Sequence, residues 1–257
     1  MGVLNVTPDS FSDGGKFIDA DRAVDHAHEM ATAGADIIDV GGESTRPGAP
    51  PVSTEEELRR VLPVIERLKG LFVSIDTTKA PVAERALAAG ARIVNDTSAL
   101  RFDPRMVDVV REAGAGAVLM HMQGTPATMQ ENPRYDDVVR EVREFLAGRI
   151  AFAVEHGVGK KQIAVDPGIG FGKTVAHNLQ LLAQLQQFRL LGCPVVVGAS
   201  RKSFIGMVLG RETRDRLPGS LAVAAWAVAQ GANIVRVHDV AETVDVVRMI
   251  EAVKGAG

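Results

Sequence analysis

Cysteine is nearly missing from this 257-residue chain: Cys193 stands alone, which rules out an internal disulfide and fits a reducing compartment. It reads as a small residue leading into a strand. Aromatic residues make up only 4% of the chain, so Phe11 and Phe171, each beside a glycine-rich loop, stand out as rings that either stack on a ligand or fill the core. An excess of basic charge is also lacking. Lys and Arg number 29 against 32 Asp and Glu, a net charge of -3 with no basic stripe, which argues against nucleic acid. No apolar run is long enough to span a bilayer, and Met1-Gly2-Val3-Leu4-Asn5 carries neither a basic start nor a long apolar run for export, so the expected location is cytoplasmic. What is present is ordinary for a soluble globular protein, 46% hydrophobic and 24% charged residues, enough to bury a full core.

One phrase recurs. Ala33-Gly34-Ala35, Ala89-Gly90-Ala91, Ala113-Gly114-Ala115 and Gln230-Gly231-Ala232 each close an amphipathic helical pattern at glycine and lead into a β-branched run. Apolar runs predict strands at residues 3–6, 37–40, 72–75, 93–94, 117–120, 162–165, 194–197 and 234–237. Helical patterns lie between them at 21–32, 54–68, 80–88, 104–112, 136–155, 178–188, 220–229 and 241–253. Strict alternation implies parallel strands with right-handed crossovers, buried on both faces. Eight such units predict an α/β fold, a single (β/α)8 TIM barrel over residues 1–257 with the active site at the C-terminal ends of the strands. An open doubly wound sheet is the rival, and no strand-order signal favours it. Ser53-Thr54 followed by Glu56-Glu57 has the capping-box pattern, so the acidic run there reads as a solvated first helical turn. Residues 46–51 form a loop too short to separate domains. The stretch 221–229 is apolar nearly all round, which implies a covering loop or a second subunit, the homodimer being favoured.

In such a barrel the residue that ends each strand is the one to inspect. In order these are Asn5, Asp39 with Glu43, Asp76, Asn95 with Asp96, His121, Asp166, Ser200 to Ser203, and Arg236 with His238 and Asp239. Asp39, Asp96, His121 and Asp239 read more simply as helix caps or satisfied turn residues. Asp76, Asn95 and Asp166 are acceptors without a zinc-type His or Cys cluster, suited to the donor-rich edge of a pterin or guanine, and Lys202 supplies a matching donor. Arg236 and His238 suit an anion, phosphate above all. Asn5 offers the neutral oxygen that Mg2+ accepts when phosphates and water complete its shell. The loop of Asp166-Pro167-Gly168-Ile169-Gly170-Phe171-Gly172-Lys173 lets a flat ligand approach main chain closely, although its glycine spacing matches neither familiar phosphate-binding fingerprint. Residues 9–15 and 43–48, rich in Gly and Ser, are expected to be mobile loops closing over the site. His26, His28, His156 and His177 read as solvated.

These motifs carry a resemblance. The run from Gly2 to Gly15, Asp39-Val40-Gly41-Gly42-Glu43-Ser44-Thr45-Arg46-Pro47-Gly48, Asp76-Thr77-Thr78-Lys79, Asn95-Asp96, Met120-His121-Met122-Gln123-Gly124, the Asp166–Lys173 loop, Ser200-Arg201-Lys202-Ser203 and Arg236-Val237-His238-Asp239 resemble the dihydropteroate synthase family over almost the whole chain. The resemblance implies a dimeric (β/α)8 barrel that condenses 6-hydroxymethyl-7,8-dihydropterin diphosphate with 4-aminobenzoate, giving 7,8-dihydropteroate and diphosphate by an SN1-like displacement. It implies pterin binding by Asp76, Asn95, Asp166 and Lys202, and Mg2+ and diphosphate contacts at Asn5, Arg46, Arg236 and His238. Thr45, Pro47, Phe171, Ser200 and Ser203 would surround 4-aminobenzoate, whose place sulfonamide inhibitors would take. Phe11, Ser12, Asp13 and Arg46 would sit on flexible loops. Asp166, Lys202, Arg236 and His238 are the residues expected to carry catalysis. The family usually has further residues ahead of the first strand, a departure that bears on stability more than on activity. Two other readings share the acceptor set: a pterin-binding methyltransferase of the methyltetrahydrofolate/corrinoid type, which needs no diphosphate site, and a non-catalytic pterin-binding relative, which would be expected to have lost site residues.

Overall fold

The computed structural model describes residues 1–7, 16–44 and 48–256. Strands β1 (Gly2–Asn5), β2 (Ile38–Gly41), β3 (Val73–Asp76), β4 (Ile93–Asp96), β5 (Gly116–Met120) and β6 (Ile163–Asp166) pair in parallel in chain order, and β7 (Val196–Val197) pairs with β8 (Ile234–Val235). Two single bridges join the pair to the larger sheet. Val165 bridges Val195, with its N–H donating to Pro194 O at 2.9 Å, and Gly2 bridges Val237, whose carbonyl accepts from Val3 N at 2.9 Å. The sheet therefore closes on itself as an eight-stranded parallel barrel, with no need for the open alternative.

Helices α1 (Lys16–Thr32), α2 (Thr54–Ile65), α3 (Ala80–Ala89), α4 (Met106–Ala113), α5 (Val138–Glu155), α6 (Val175–Ala183), α7 (Ser203–Leu209), α8 (Leu217–Ala229) and α9 (Val240–Lys254) form the outer ring. The recurring turn behaves as expected: Gly34, Gly90, Gly114 and Gly231 all have positive φ, reversing the chain directly into the next strand. One buried cluster joins strand residues such as Ile38, Val40, Ile75, Val94 and Leu119 to inner helix residues such as Val61, Ala83, Val110 and Leu146.

Three local expectations need correction. The pattern at 178–188 breaks into α6 and a 3-10 helix, Leu185–Leu191, near which the Trp226 indole N–H donates to the Leu182 carbonyl at 2.8 Å. A short helix, α7, follows β7 where the sequence reading had only a rim loop. Ser53 does cap α2, accepting from Glu56 N at 3.2 Å, but Glu57 is fully buried rather than solvated. Its carboxylate meets the Lys79 ammonium at 2.5 Å, and Glu43 pairs with the same ammonium. Glu43 also accepts from Val52 N at 3.0 Å.

Candidate active site

Strand register sets the site's layers. Asn5 pairs with Gly41, Gly41 with Asp76 and Asp76 with Asn95, so these four share one level at the C-terminal rim. Because Gly41 has no side chain, Asn5 and Asp76 flank open space: a Cβ there would lie 3.7 Å from Asn5 Oδ1 and 3.8 Å from Asp76 Oδ2. Asp39 pairs with Ser74 two residues earlier and sits one layer deeper on the same inner face.

Arg236, delivered by the end of β8, ties these layers together. Its Nε donates to Asp39 Oδ2 at 2.6 Å and its Nη2 to Asp76 Oδ2 at 2.7 Å, while Asn95 Nδ2 donates to the same Asp39 oxygen at 3.0 Å. Asp39, set aside in the sequence reading as a satisfied turn residue, is completely buried and holds both Arg236 and Asn95. A carboxylate inside the apolar run Ile37-Ile38-Asp39-Val40 was the available signal, since burying a charge is tolerated only against a partner.

Across the mouth, Asp166 ends β6. Its Oδ1 accepts from Gly168 N at 2.7 Å. Lys202 donates to the Ile169 carbonyl and stands 4.4 Å over the Phe171 ring. The two halves meet across Gly198, where a Cβ would lie 3.7 Å from Arg236 Cβ and 3.8 Å from Asp166 Oδ2. The Gly168-Ile169-Gly170 backbone is pressed against β5: a Cβ on Gly168, at φ +68°, would fall 1.9 Å from the His121 carbonyl oxygen, so only glycine fits.

Crowding charges into a dry mouth shifts their titration. Burial pushes Asp76 up to about 7 against the opposing pull of Arg236, with the fields of Asp39, Glu57 and Asp96 adding to the rise. Burial likewise raises Asp166 against Lys202 and the Gly168 N–H, and lowers Lys202 to about 8 against Asp166. For Arg236 burial works against the charge, and the carboxylates of Asp39 and Asp76 outweigh it, holding the guanidinium firmly cationic.

Ser200 and His238 face each other from the ends of β7 and β8, with Oγ to Nδ1 at 3.1 Å. Asn5, Arg201 and His238 border a cavity of about 680 Å3 that extends toward α1 and α9. Ser203, the first residue of α7, is exposed rather than drawn into this network. Asp96 is the satisfied turn residue expected, accepting from Ser98 N at 2.7 Å and Leu100 N at 3.0 Å, and Asp239 is bound by the Arg201 guanidinium. Lys173, the last residue of the Asp166–Lys173 loop, is buried with its Nζ against His121. Phe11, Ser12, Asp13, Thr45, Arg46 and Pro47 lie outside the described residues.

The sequence pattern of the family described as pterin binding enzyme matches residues 1–238. The dihydropteroate synthase of Escherichia coli (strain K12) is 51% identical over 259 residues, spanning 100% of this chain and 92% of that protein. The chain belongs to the dihydropteroate synthase family. Solved dihydropteroate synthases share its architecture. The Yersinia pestis enzyme in a sulfonamide drug complex gives a TM-score of 0.94 at 46% identity, covering 99% of this chain and 94% of that one. The Xanthomonas albilineans dihydropteroate synthase with 4-aminobenzoic acid gives 0.93 at 50% identity, covering 99% and 92%. Within the dihydropteroate synthase family, then, this chain's acceptors Asp76, Asn95 and Asp166 and its cations Lys202 and Arg236 gather at one mouth, with His238 and Asn5 bordering the cavity beside it.

Proposed function

We propose that this chain condenses 6-hydroxymethyl-7,8-dihydropterin diphosphate with 4-aminobenzoate, forming 7,8-dihydropteroate and releasing diphosphate. The observation that carries the reading is the meeting of Asp39, Asp76, Asn95 and Arg236 opposite Asp166 and Lys202. Carboxylate and amide oxygens suit the N–H groups of an aminopyrimidinone, and Lys202 suits its ring oxygen or nitrogen. Breaking the C–O bond to diphosphate leaves positive charge on a methylene conjugated with the ring. Three carboxylates, Asp39, Asp76 and Asp166, against two cations, Lys202 and Arg236, leave a field that favours that charge as it develops. The arylamine attacks as a neutral nucleophile and loses its proton afterwards, so no general base is required.

The diphosphate falls to His238 and Asn5, with Arg236 behind them: two of Arg236's nitrogens are committed to Asp39 and Asp76, so its first effect is to seat those acceptors and its second to add positive field. Among the described residues no group of three His, Cys, Asp or Glu could hold a metal ion. Asn5 alone fits Mg2+ that arrives with the diphosphate, since such an ion keeps waters and substrate oxygens in its shell. When bound, the ion would neutralise charge on the leaving group. Phe171, Ser200 and Ser203, with Thr45 and Pro47, are assigned to 4-aminobenzoate, and sulfonamides are expected to compete there, in keeping with the drug complex of the Yersinia pestis relative.

Assembly as a homodimer is supported by an apolar strip on the last helices: Met207 is 69% exposed, Trp226 48% and Met249 64%. A cytoplasmic site of action rests on composition, and no helix among the described residues is long and apolar enough to cross a membrane. The deciding assay follows diphosphate release from the pterin substrate with and without 4-aminobenzoate. Release that depends on the arylamine and yields dihydropteroate is expected. No dihydropteroate at any enzyme concentration would refute the reading, and transfer of a methyl group to a corrinoid would replace it.

A further inference from the structure

Lys173 carries a buried amine that the proposed reaction does not use, and burial lowers its pKa well below the ordinary lysine range against the pull of Asp166. It is 3% exposed, and among the described residues no carboxylate forms an ion pair with it. Its Nζ lies 2.9 Å from His121 Nδ1, donates to the Phe171 carbonyl at 2.9 Å and reaches the His121 carbonyl at 3.4 Å. His121 Nδ1 and the Lys173 amine share one hydrogen bond, and the His121 ring is neutral. Burial keeps it so.

A buried amine is an unfavourable choice for filling space, since an apolar side chain of that length would serve without desolvating a polar group. Its three contacts share one property. They join the end of β5 to the glycine loop that carries Phe171, whose other side-chain bonds do not reach β5: Asn178 Oδ1 accepts from Gly170 N at 2.7 Å, Gln130 Nε2 donates to Gly170 O at 2.8 Å and Tyr135 donates to Gly172 O at 2.8 Å. Lys173 Nζ also lies 3.4 Å from where a Cβ on Gly168 would stand, at the point where the loop presses on His121. The residues it fixes are those facing the ligands, because Ile169 O receives Lys202 and the Phe171 ring lies beneath the Lys202 ammonium.

We propose that Lys173 is a positioning residue: by bonding His121 and the Phe171 carbonyl together, it sets the seat of the Phe171 ring and of the loop that receives Lys202. The inference rests on the functional reading above. Its first effect falls on the ligand that Phe171 contacts, 4-aminobenzoate, and only through Ile169 on the pterin side.

The test compares wild type with Lys173→Met, and with the double variant His121→Phe/Lys173→Met, which removes the polar pair as a unit. Steady-state kinetics with both substrates are read beside the melting temperature. Lys173→Met is expected to raise KM for 4-aminobenzoate by about tenfold or more while KM for the pterin diphosphate changes less than about threefold, tenfold being about 1.4 kcal/mol of lost contact. The double variant is expected to regain melting temperature but keep the raised KM. Unchanged KM in Lys173→Met, or a KM that returns to the wild-type value together with the melting temperature, overturns the proposal and leaves Lys173 structural. Should Lys173→Met fail to fold, the KM of the double variant decides alone by the same criterion. Wild type that makes no dihydropteroate defeats the functional reading instead, so the two failures are distinguishable.

Discussion

Replacing Asp39 by asparagine keeps the shape of the side chain and removes its charge, and the contacts of Asp39 set the sign of the effect. Asp39 Oδ2 accepts from Arg236 at 2.6 Å and Asn95 at 3.0 Å, and an amide oxygen can accept from both. A hydrogen bond between neutral and charged groups is weaker than one between two charges, so the expected stability loss is about 1–2 kcal/mol, a fall in Tm of about 2–8 °C for a chain of this size. The larger effect is on Asp76. That carboxyl is held up to about 7, first by burial and in part by the field of Asp39. Two carboxylates on neighbouring guanidinium nitrogens stand about 5 Å apart, and at an effective dielectric constant of about 20 they repel by about 3 kcal/mol, an upper bound of about two pH units. Asp76 must be ionised to accept from the pterin, so kcat/KM should rise with pH through about 7 in the wild type. In Asp39→Asn that rise should move to lower pH by about one unit, while the plateau falls because Arg236 and Asn95 are held less firmly. Diphosphate release measured from pH 5 to 9 at subsaturating pterin reports both. A rising limb that stays in place, or moves to higher pH, would show that Asp39 does not act on Asp76 through the shared guanidinium.

Lys202 is lowered by burial from its ordinary value to about 8 and makes charge-assisted hydrogen bonds only when protonated, so kcat/KM should fall above about pH 8; Lys202→Arg should remove that fall, and its persistence would assign the limb to another group. Gly168→Ala places a methyl 1.9 Å from the His121 carbonyl at φ +68° and should cost about 3 kcal/mol or more by chemical denaturation, whereas Gly90→Ala, with nothing within 4 Å at φ +124°, should cost about 1 kcal/mol. Equal costs at both positions would refute the close approach. Trp226→Asp with Met249→Asp places charge on the exposed apolar strip and should shift sedimentation from dimer to monomer; a monomeric wild type would remove the basis for the dimer.

The alternation of strands and helices was legible because parallel strands are apolar on both faces and each αβ turn is marked by glycine. Asp76, Asn95, Asp166 and Lys202 were legible as well, because they stand near or beyond strand ends, where a polar side chain has no packing role. Asp39 was not, for a reason of parity: it lies within β2 rather than at its end, and only strand register reveals that it shares a face with Ser74 and lies below Asp76. Glu57 read as a solvated cap because local sequence shows Ser53 and the helix start but not Lys79, which arrives 22 residues later. Lys173 carries its meaning through His121, 52 positions away in the chain. Such pairings are set by closure of the barrel, which no local window contains.

That closure is uneven. Six strands form one continuous sheet, while β7 and β8, two residues each, meet it through one bridge on either side. Asp39, Asp76, Asn95 and Asp166 belong to the large arc, and Lys202, Arg236 and His238 to the small one, so the ion pairs from Arg236 also rivet a seam that its main chain closes only sparsely. Selection acting on this mouth therefore cannot tune chemistry and cohesion apart: a substitution that loosens the grip of Arg236 should speed amide exchange in β7 and β8 before it does so in β3 or β4.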